Sequence, residues 1–320
     1  MVAPADRRVV VRVGVPKSGG ALLANAPGPV LVSAGALWDK DTRRFRAPGL
    51  PVWWGDVALD SAGYVAMVHH GGYPWTVEQY VELVVRGRGL LERPDDRDDD
   101  VMGLPTPWAW WSAMDYCCEP KIAGNRVEVE RRMALTVETY VECLDALGAW
   151  RDDGVTDVAD PMPILQGRTP DDYTRCAEQL AAAIDEAHPC TCPDGDDECS
   201  AEWHREHRGL PELVGVGSVC RRQLRGPEGI LRVVGALHQA LPPHVKLHLF
   251  GVKSAALAHL AGHPRVHSID SQAWGTAARN AACRAPGGKV SCTNEVKVPI
   301  MRDWAAKQAA VARPRQVPLW

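Results

Sequence analysis

The chain has 320 residues and is 46% hydrophobic, so it can bury a large core, and single α/β barrels often reach this length. Charged residues make up 24%, which excludes wholesale disorder, and no apolar run reaches the ~18–20 residues that span a bilayer. The net charge of −4 does not by itself suggest a nucleic-acid partner.

Short apolar strands alternate with helical segments along the chain. VVVRVGV (9–15) and VLVSAGAL (30–37) read as strands, and VWWGDVALDSAGY (52–64) as a strand running into a loop. TVEQYVELVVRGRGLL (76–91) follows as a helix, and ERPDDRDDD (92–100) as a solvated acidic loop. PWAWWSAMDYCCEP (107–120) is again a strand, then a loop. Residues 127–150 predict a long helix, with Met133, Val137, Tyr140, Val141, Leu144 and Leu147 at helical spacing. PMPILQG (161–167) is a strand, and Thr169 with Asp171 and Asp172 opens a helix to about residue 187. Three more units follow: strand LVGVGSV with helix PEGILRVVGALHQAL, strand KLHLFGV with helix SAALAHLAGH, and strand VHSID with helix SQAWGTAARNAA. About eight βα units predict a parallel sheet under covering helices, and favour a closed (β/α)₈ TIM-type barrel over an open doubly wound sheet. No G-x-G-x-x-G turn follows an early strand, which speaks against dinucleotide binding.

Barrel enzymes carry their chemistry at the C-terminal ends of the strands. Here those ends hold Asp60-Ser61, Asp115, Gln166-Gly167, Gly215 to Ser218, Gly251 and Asp270. Singly, each suits a cap or a turn. Together, paired carboxylates suit attack and proton transfer at an acetal-like carbon. An amide beside a carboxylate suits the hydrogen-bonding edge of a planar heterocycle.

These same strand ends carry a family resemblance. LDSAGY resembles the D-S-G-G-F/Y segment of queuine-type tRNA-guanine transglycosylases, AMDYCCEP their F-D-E-C-T-P, and ILQG their V-Q-G. GVGS resembles their glycine pair, LFGV their L-M-G-V, and SIDSQAW the place of their F-D-C nucleophile segment. All six occur in the family's order over residues 59–274. The tRNA enzymes follow the nucleophile with P-T-R and a C-x-C-x-x-C zinc module; this chain has QAWGTAAR there, a form similar to the deazapurine DNA-modification branch (DpdA). The resemblance implies exchange of guanine in DNA for a 7-deazaguanine base such as 7-cyano-7-deazaguanine. It implies Asp270 as nucleophile at C1′ and Asp60 as general acid and base. It places Asp115, Gln166 and backbone near Gly217 on the base, Tyr64 stacked on it, and Ser61 and Phe250 beside it. Ala62 and Ser218 stand where the family has glycine. The same reaction on tRNA, a zinc-bearing binding protein without catalysis, and a water-using glycosidase are the rival readings.

Two charged or ligand-rich segments complete the picture. Cys190, Cys192, Cys199, His204 and His207 lie within 188–208, and three thiolates with one of the two imidazoles make a structural zinc set. Between residues 279 and 315 eight basic side chains, Arg279, Arg284 and Lys289 among them, face only Glu295 and Asp303, which suits either a polyanion, DNA where the resemblance holds, or a solvated basic tail. The expected organisation is a barrel over 1–283, interrupted by the zinc insertion at 188–208, with a basic extension over 284–320 packed on it. The opening MVAPADRRVV lacks the apolar stretch of a signal peptide, so a cytoplasmic protein with no membrane partner is expected. Trp274, just past Asp270, is a candidate for base stacking.

Overall fold

The computed structural model describes residues 8–15, 22, 25–46, 56–87, 108–187, 209–284 and 291–312. The described strands are β1 (Val10–Val15), β2 (Val30–Ser33), β3 (Trp38–Asp39), β4 (Arg44–Phe45), β5 (Val57–Asp60), β6 (Trp108–Trp111), β7 (Ile164–Leu165), β8 (Leu213–Val216), β9 (Lys246–Leu249) and β10 (Val266–Ser271). The described α-helices are α1 (Gly63–His70), α2 (Val77–Gly87), α3 (Arg126–Asp152), α4 (Pro170–Ala187), α5 (Ile230–Ala240), α6 (Ser254–Leu260), α7 (Ala273–Cys283) and α8 (Asn294–Val311).

Eight strands form one parallel sheet in the order β6-β5-β2-β1-β10-β9-β8-β7, so the chain winds around it in sequence order. The sheet curls until its edge strands approach. Past β6, the Met162 N–H donates to Trp111 O at 2.8 Å and the Ala113 N–H to Met162 O at 3.0 Å, a parallel bridge between Ser112 and Met162. The expected mixed α/β architecture, a parallel sheet flanked by helices, is what the chain forms.

Burial on both faces explains why the strands read as apolar runs rather than as alternating ones. Inside the curl, Leu31, Ala58, Trp110, Met162 and Ile164 pack together, with Phe250 against them. A buried cation fills the floor of this inner layer. Arg12 pairs with Asp56 at 2.8 Å and lies 5.0 Å from the Trp110 ring centroid. Outside the curl a larger cluster joins the other strand faces to the helices. Trp108 and Trp111 belong to it, so the poorly alternating WAWW run splits its indoles between the two layers. The strand pairing shifts register between Val57 and Ala58, which accommodates that pattern.

Local chemistry sets several boundaries. Asn125 caps α3, its side chain accepting from Glu128 N at 2.9 Å. Thr169 and Asp172 form a reciprocal box at the start of α4: Asp172 Oδ2 accepts from Thr169 N at 2.9 Å and Thr169 Oγ1 from Asp172 N at 3.3 Å. Two expectations are corrected. VLVSAGAL is a strand only to Ser33; Ala34–Ala36 tighten into a 3₁₀ turn before the antiparallel β3–β4 hairpin. The loop expected after Asp60 is instead α1, entered through Ala62 at φ 67°. Much of the basic C-terminal stretch is α8, which runs through Pro299 and packs against α6, α7 and β1. The 188–208 insertion and the acidic 92–100 segment lie outside the described residues.

Candidate active site

A cavity of about 520 Å³ opens at the C-terminal ends of the strands. Its wall takes Ser33 from the end of β2, Asp60 from β5, Asp115 after β6, Gly217 and Ser218 after β8, Gly251 after β9 and Asp270 from β10. The parallel topology makes this convergence, because every strand ends on the same side.

Asp115 is the most heavily held of the carboxylates. Ser61 Oγ donates to its Oδ1 at 3.0 Å, and the Gln166 amide N–H₂ donates to its Oδ2. Tyr73 receives the Asp115 N–H at 3.0 Å and donates to the Asp115 carbonyl at 3.0 Å. Burial pushes the Asp115 carboxyl up to about 6, against the bonds from Ser61 and Gln166, which favour its charged form. The network continues through Ser218: its hydroxyl accepts from Cys118 N at 2.7 Å and lies 2.6 Å from Gln166 Oε1 and 3.1 Å from Glu119 Oε2. Close packing explains two glycines. A Cβ on Gly63 would sit 2.6 Å from Asp115 Oδ1, and one on Gly217 would collide with the Gln166 amide.

Asp60 is different. Loss of water, then the Asp115 and Asp270 carboxylates, push it up to about 8, while the Ala62 N–H and the Ser33 hydroxyl oppose the shift. A carboxyl in that state holds its proton at neutral pH. Asp270 is 6% exposed, and Gly251 N–H donates to its Oδ1 at 2.7 Å. Beneath it, His248 is fully buried between the Trp110 and Phe250 rings, with Nδ1 2.8 Å from Ser268 Oγ. His248 Nε2 stands 3.6 Å from Asp270 Oδ1, beyond hydrogen-bond length. Burial lowers the His248 pKa more than Asp270 raises it, so the ring is neutral.

The match to known families fits this geometry. A family model described as DpdA, DeoxyPurine in DNA protein A, matches residues 20–188 and 200–317. The chain belongs to the DpdA family. DpdA is the DNA-modification branch of the transglycosylase superfamily to which the strand-end segments are similar. No curated protein is similar enough to count as a match.

Of the residues singled out in the sequence, this DpdA cavity is lined by Asp60, Tyr64, Asp115, Gly217, Phe250 and Asp270. Ser61 and Gln166 are fully buried behind Asp115 and hold it. Trp274 is a brace: it is 2% exposed, with its indole N–H donating to Gly14 O at 3.1 Å. Arg279 lies near the rim, donating to the rim residue Thr276 at 2.9 Å. Arg284 caps the other end of α7, which the helical rise puts roughly 12 Å along the axis from the rim residue Thr276. Lys289 and the ligand set Cys190, Cys192, Cys199, His204 and His207 lie outside the described residues. The family match skips 189–199, where the three cysteines stand. Sequence reasoning missed Glu119, Ser33, Arg221 and Lys253 on the wall. Glu119 carried a readable signal, a carboxylate only four residues past Asp115, and so did Ser33, which closes the apolar run VLVS; Arg221 and Lys253 did not.

Proposed function

We propose that the chain is a (β/α)₈ barrel enzyme that exchanges guanine in DNA for a 7-deazaguanine base such as 7-cyano-7-deazaguanine. The observation that carries this is the pairing of two unlike carboxyls in one cavity: Asp60 raised to about 8, and Asp270 held by the Gly251 N–H. A base-exchanging site needs both an acid and a nucleophile, and separated environments are how two carboxyls take separate roles.

In this reading the target nucleotide is flipped into the cavity, because its C1′ is out of reach inside a duplex. The Asp270 carboxylate forms a bond to C1′ as the bond from C1′ to guanine breaks, and the Asp60 proton passes to the departing base. The enzyme–nucleotide ester then meets the incoming deazaguanine. Asp60, now a carboxylate, takes the ring N–H proton. That nitrogen bonds to C1′, and the Asp270–C1′ bond breaks. Two inversions retain the original configuration. Asp115 accepts hydrogen bonds from the base edge, with Ser61 and Gln166 fixing its orientation. Tyr64 and Phe250 supply apolar faces to the ring.

The test is base exchange itself. Pure protein is incubated with labelled guanine and either DNA or tRNA, and the polymer is isolated. Label in DNA is the expected outcome; label only in tRNA moves the substrate, and label in neither ends the reading.

We further propose a structural zinc held by Cys190, Cys192, Cys199 and one of His204 or His207. The support is the ligand chemistry alone: three thiolates and an imidazole match a closed tetrahedral site. One zinc per chain by elemental analysis, and a lowered melting temperature in Cys192→Ala, are expected. Metal-free protein from a chelator-free preparation would rule it out.

A further inference from the structure

The loop between β8 and α5 walls a second cavity, of about 420 Å³. Glu119, Ser218 and Arg221 line both this cavity and the first, so the two adjoin across a shared wall. The loop also brings Arg222 and Arg225 to the second cavity.

This loop is firmly built. Arg222 donates to Ser218 O at 2.9 Å, Glu228 O at 2.7 Å, Gly167 O at 3.0 Å and Tyr173 OH at 3.1 Å, and its guanidinium lies 5.3 Å from the Tyr173 ring centroid. Backbone bonds from Ile230 N to Gln223 O at 3.0 Å and from Gly229 N to Gly226 O at 3.0 Å close the far end. Arg222 is therefore spent on the fold. Arg221 and Arg225 are not: both are exposed, and neither makes an ion pair among the described residues. The Arg221 guanidinium lies 4.9 Å from the Tyr64 ring centroid, an arrangement that occupies its face and leaves its N–H edges for an anion. The acidic groups of the cavity are already engaged. The Glu119 carboxylate faces the Ser218 hydroxyl at 3.1 Å and the Cys220 thiol at 3.6 Å, and Glu228 lies 3.8 Å from Arg168.

Lys253 is a further cation on the wall of the first cavity, and two basic groups of α8 are engaged elsewhere. Arg302 donates to Asn25 Oδ1 at 2.9 Å, and Lys307 pairs with Asp303 at 2.7 Å, both on α8. A nucleotide whose base enters the first cavity brings its own phosphates to the rim. Arg221 is the rim cation common to both cavities. We propose that the second cavity is a phosphodiester cleft, in which Arg221 and Arg225 grip the DNA backbone beside the flipped nucleotide. This rests on the base-exchange reading and adds to it the path of the bound strand.

The experiment measures binding of a fluorescent single-stranded DNA and a duplex to the full chain over a range of salt. For each phosphate that a variant no longer neutralises, the slope of log affinity against log salt should fall by about 0.7 for single strands and about 0.9 for duplex. Arg225→Ala and Arg221→Ala should each show that fall and weaken binding severalfold, alike across DNA sequences. Lys307→Ala removes an equal charge elsewhere and should leave the slope alone. Arg225 is exposed and makes no ion pair among the described residues, so a melting curve close to wild type is expected and guards against misfolding. Unchanged slopes in both arginine variants, with wild type binding DNA, overturn the cleft while leaving base exchange standing. A wild type that binds DNA with the predicted arginine dependence but incorporates no labelled guanine overturns the exchange reading instead. A tRNA competitor that displaces DNA at equal nucleotide concentration overturns the assignment to DNA.

Discussion

Asp60 closes β5 and Asp115 lies just past β6, and both line one cavity; Asp115 is held by the Ser61 and Gln166 side chains, Asp60 by the Ser33 hydroxyl and the Ala62 N–H. Burial raises both, Asp115 to about 6 and Asp60 to about 8. The bonds to Asp115 favour its charged form, while the neighbouring Asp115 and Asp270 carboxylates push Asp60 further up, so Asp115 is the stronger acid. The wall over β6, β7 and β8 is thus a fixed array of acceptors, suited to reading a base edge. The wall over β5 and β10 sets Asp60 against the Asp270 carboxylate, which keeps Asp60 protonated and suits the pair to bond making and proton transfer. A preorganised acceptor array beside a carboxyl held protonated is a division that substitutions can separate.

The largest effect is expected at Asp270. Asp270→Asn replaces the attacking oxygen with an amide, a very poor nucleophile, and should abolish both exchange and any covalent DNA adduct. The fold should survive, since the Gly251 N–H can still donate to the side-chain oxygen. A denaturation-resistant adduct formed by this variant would falsify the nucleophile assignment.

Asp60→Asn comes next. Loss of proton transfer should lower exchange by about 10²–10⁴-fold. In wild type, exchange should fall as pH rises through about 8, because the acid form of Asp60 is lost there. Stability gives a second readout. A carboxyl raised from 3.8 to about 8 holds its proton in the folded state over a window where the unfolded chain has released it. Its contribution is full below 3.8 and is lost as pH rises to about 8. Asp60→Asn lacks that loss, so its melting temperature should gain on wild type between about pH 5 and 8. Parallel melting curves across that range would show that Asp60 is not raised.

The strand ends were the most legible part of the chain. A buried parallel strand reads as a short apolar run, and a polar residue closing that run marks the mouth; Asp60, Asp115 and Asp270 were found this way. The layer behind them was not legible. Ser61 and Gln166 sit at the same kind of strand end, and only the folded packing distinguishes a side chain on the cavity from one behind it. His248 is polar within the apolar strand KLHL, but strand alternation alone cannot say that it lies under Asp270. Helix α1 lacks a side-chain cap and α8 contains Pro299, so neither displays the usual helix signals. Arg221 and Arg225 are illegible for a different reason: they belong to a short basic run, and only the fold brings that run to the cavities.

The smallest effect tests the recognition wall at Ser218, where the similar transglycosylases have glycine. Ser218 has φ 53°, a left-handed conformation that costs a non-glycine residue about 1–2 kcal/mol. Its hydroxyl is what the substitution gained, joining Cys118 N, Gln166 Oε1 and Glu119 Oε2. Ser218→Ala keeps the strain and loses those bonds, with an expected loss of about 1–3 kcal/mol from groups left short of partners. Ser218→Gly loses the same bonds but relieves the strain, so it should be the more stable of the two by roughly 1 kcal/mol. Both should raise KM for the incoming base more than they lower kcat, because Gln166 is loosened while Asp60 and Asp270 are untouched. Equal stability of the two variants would mean the φ strain is not felt. A fall in kcat with KM unchanged would place Ser218 on the reacting wall, and the division between the two walls would fail at the residue that joins them.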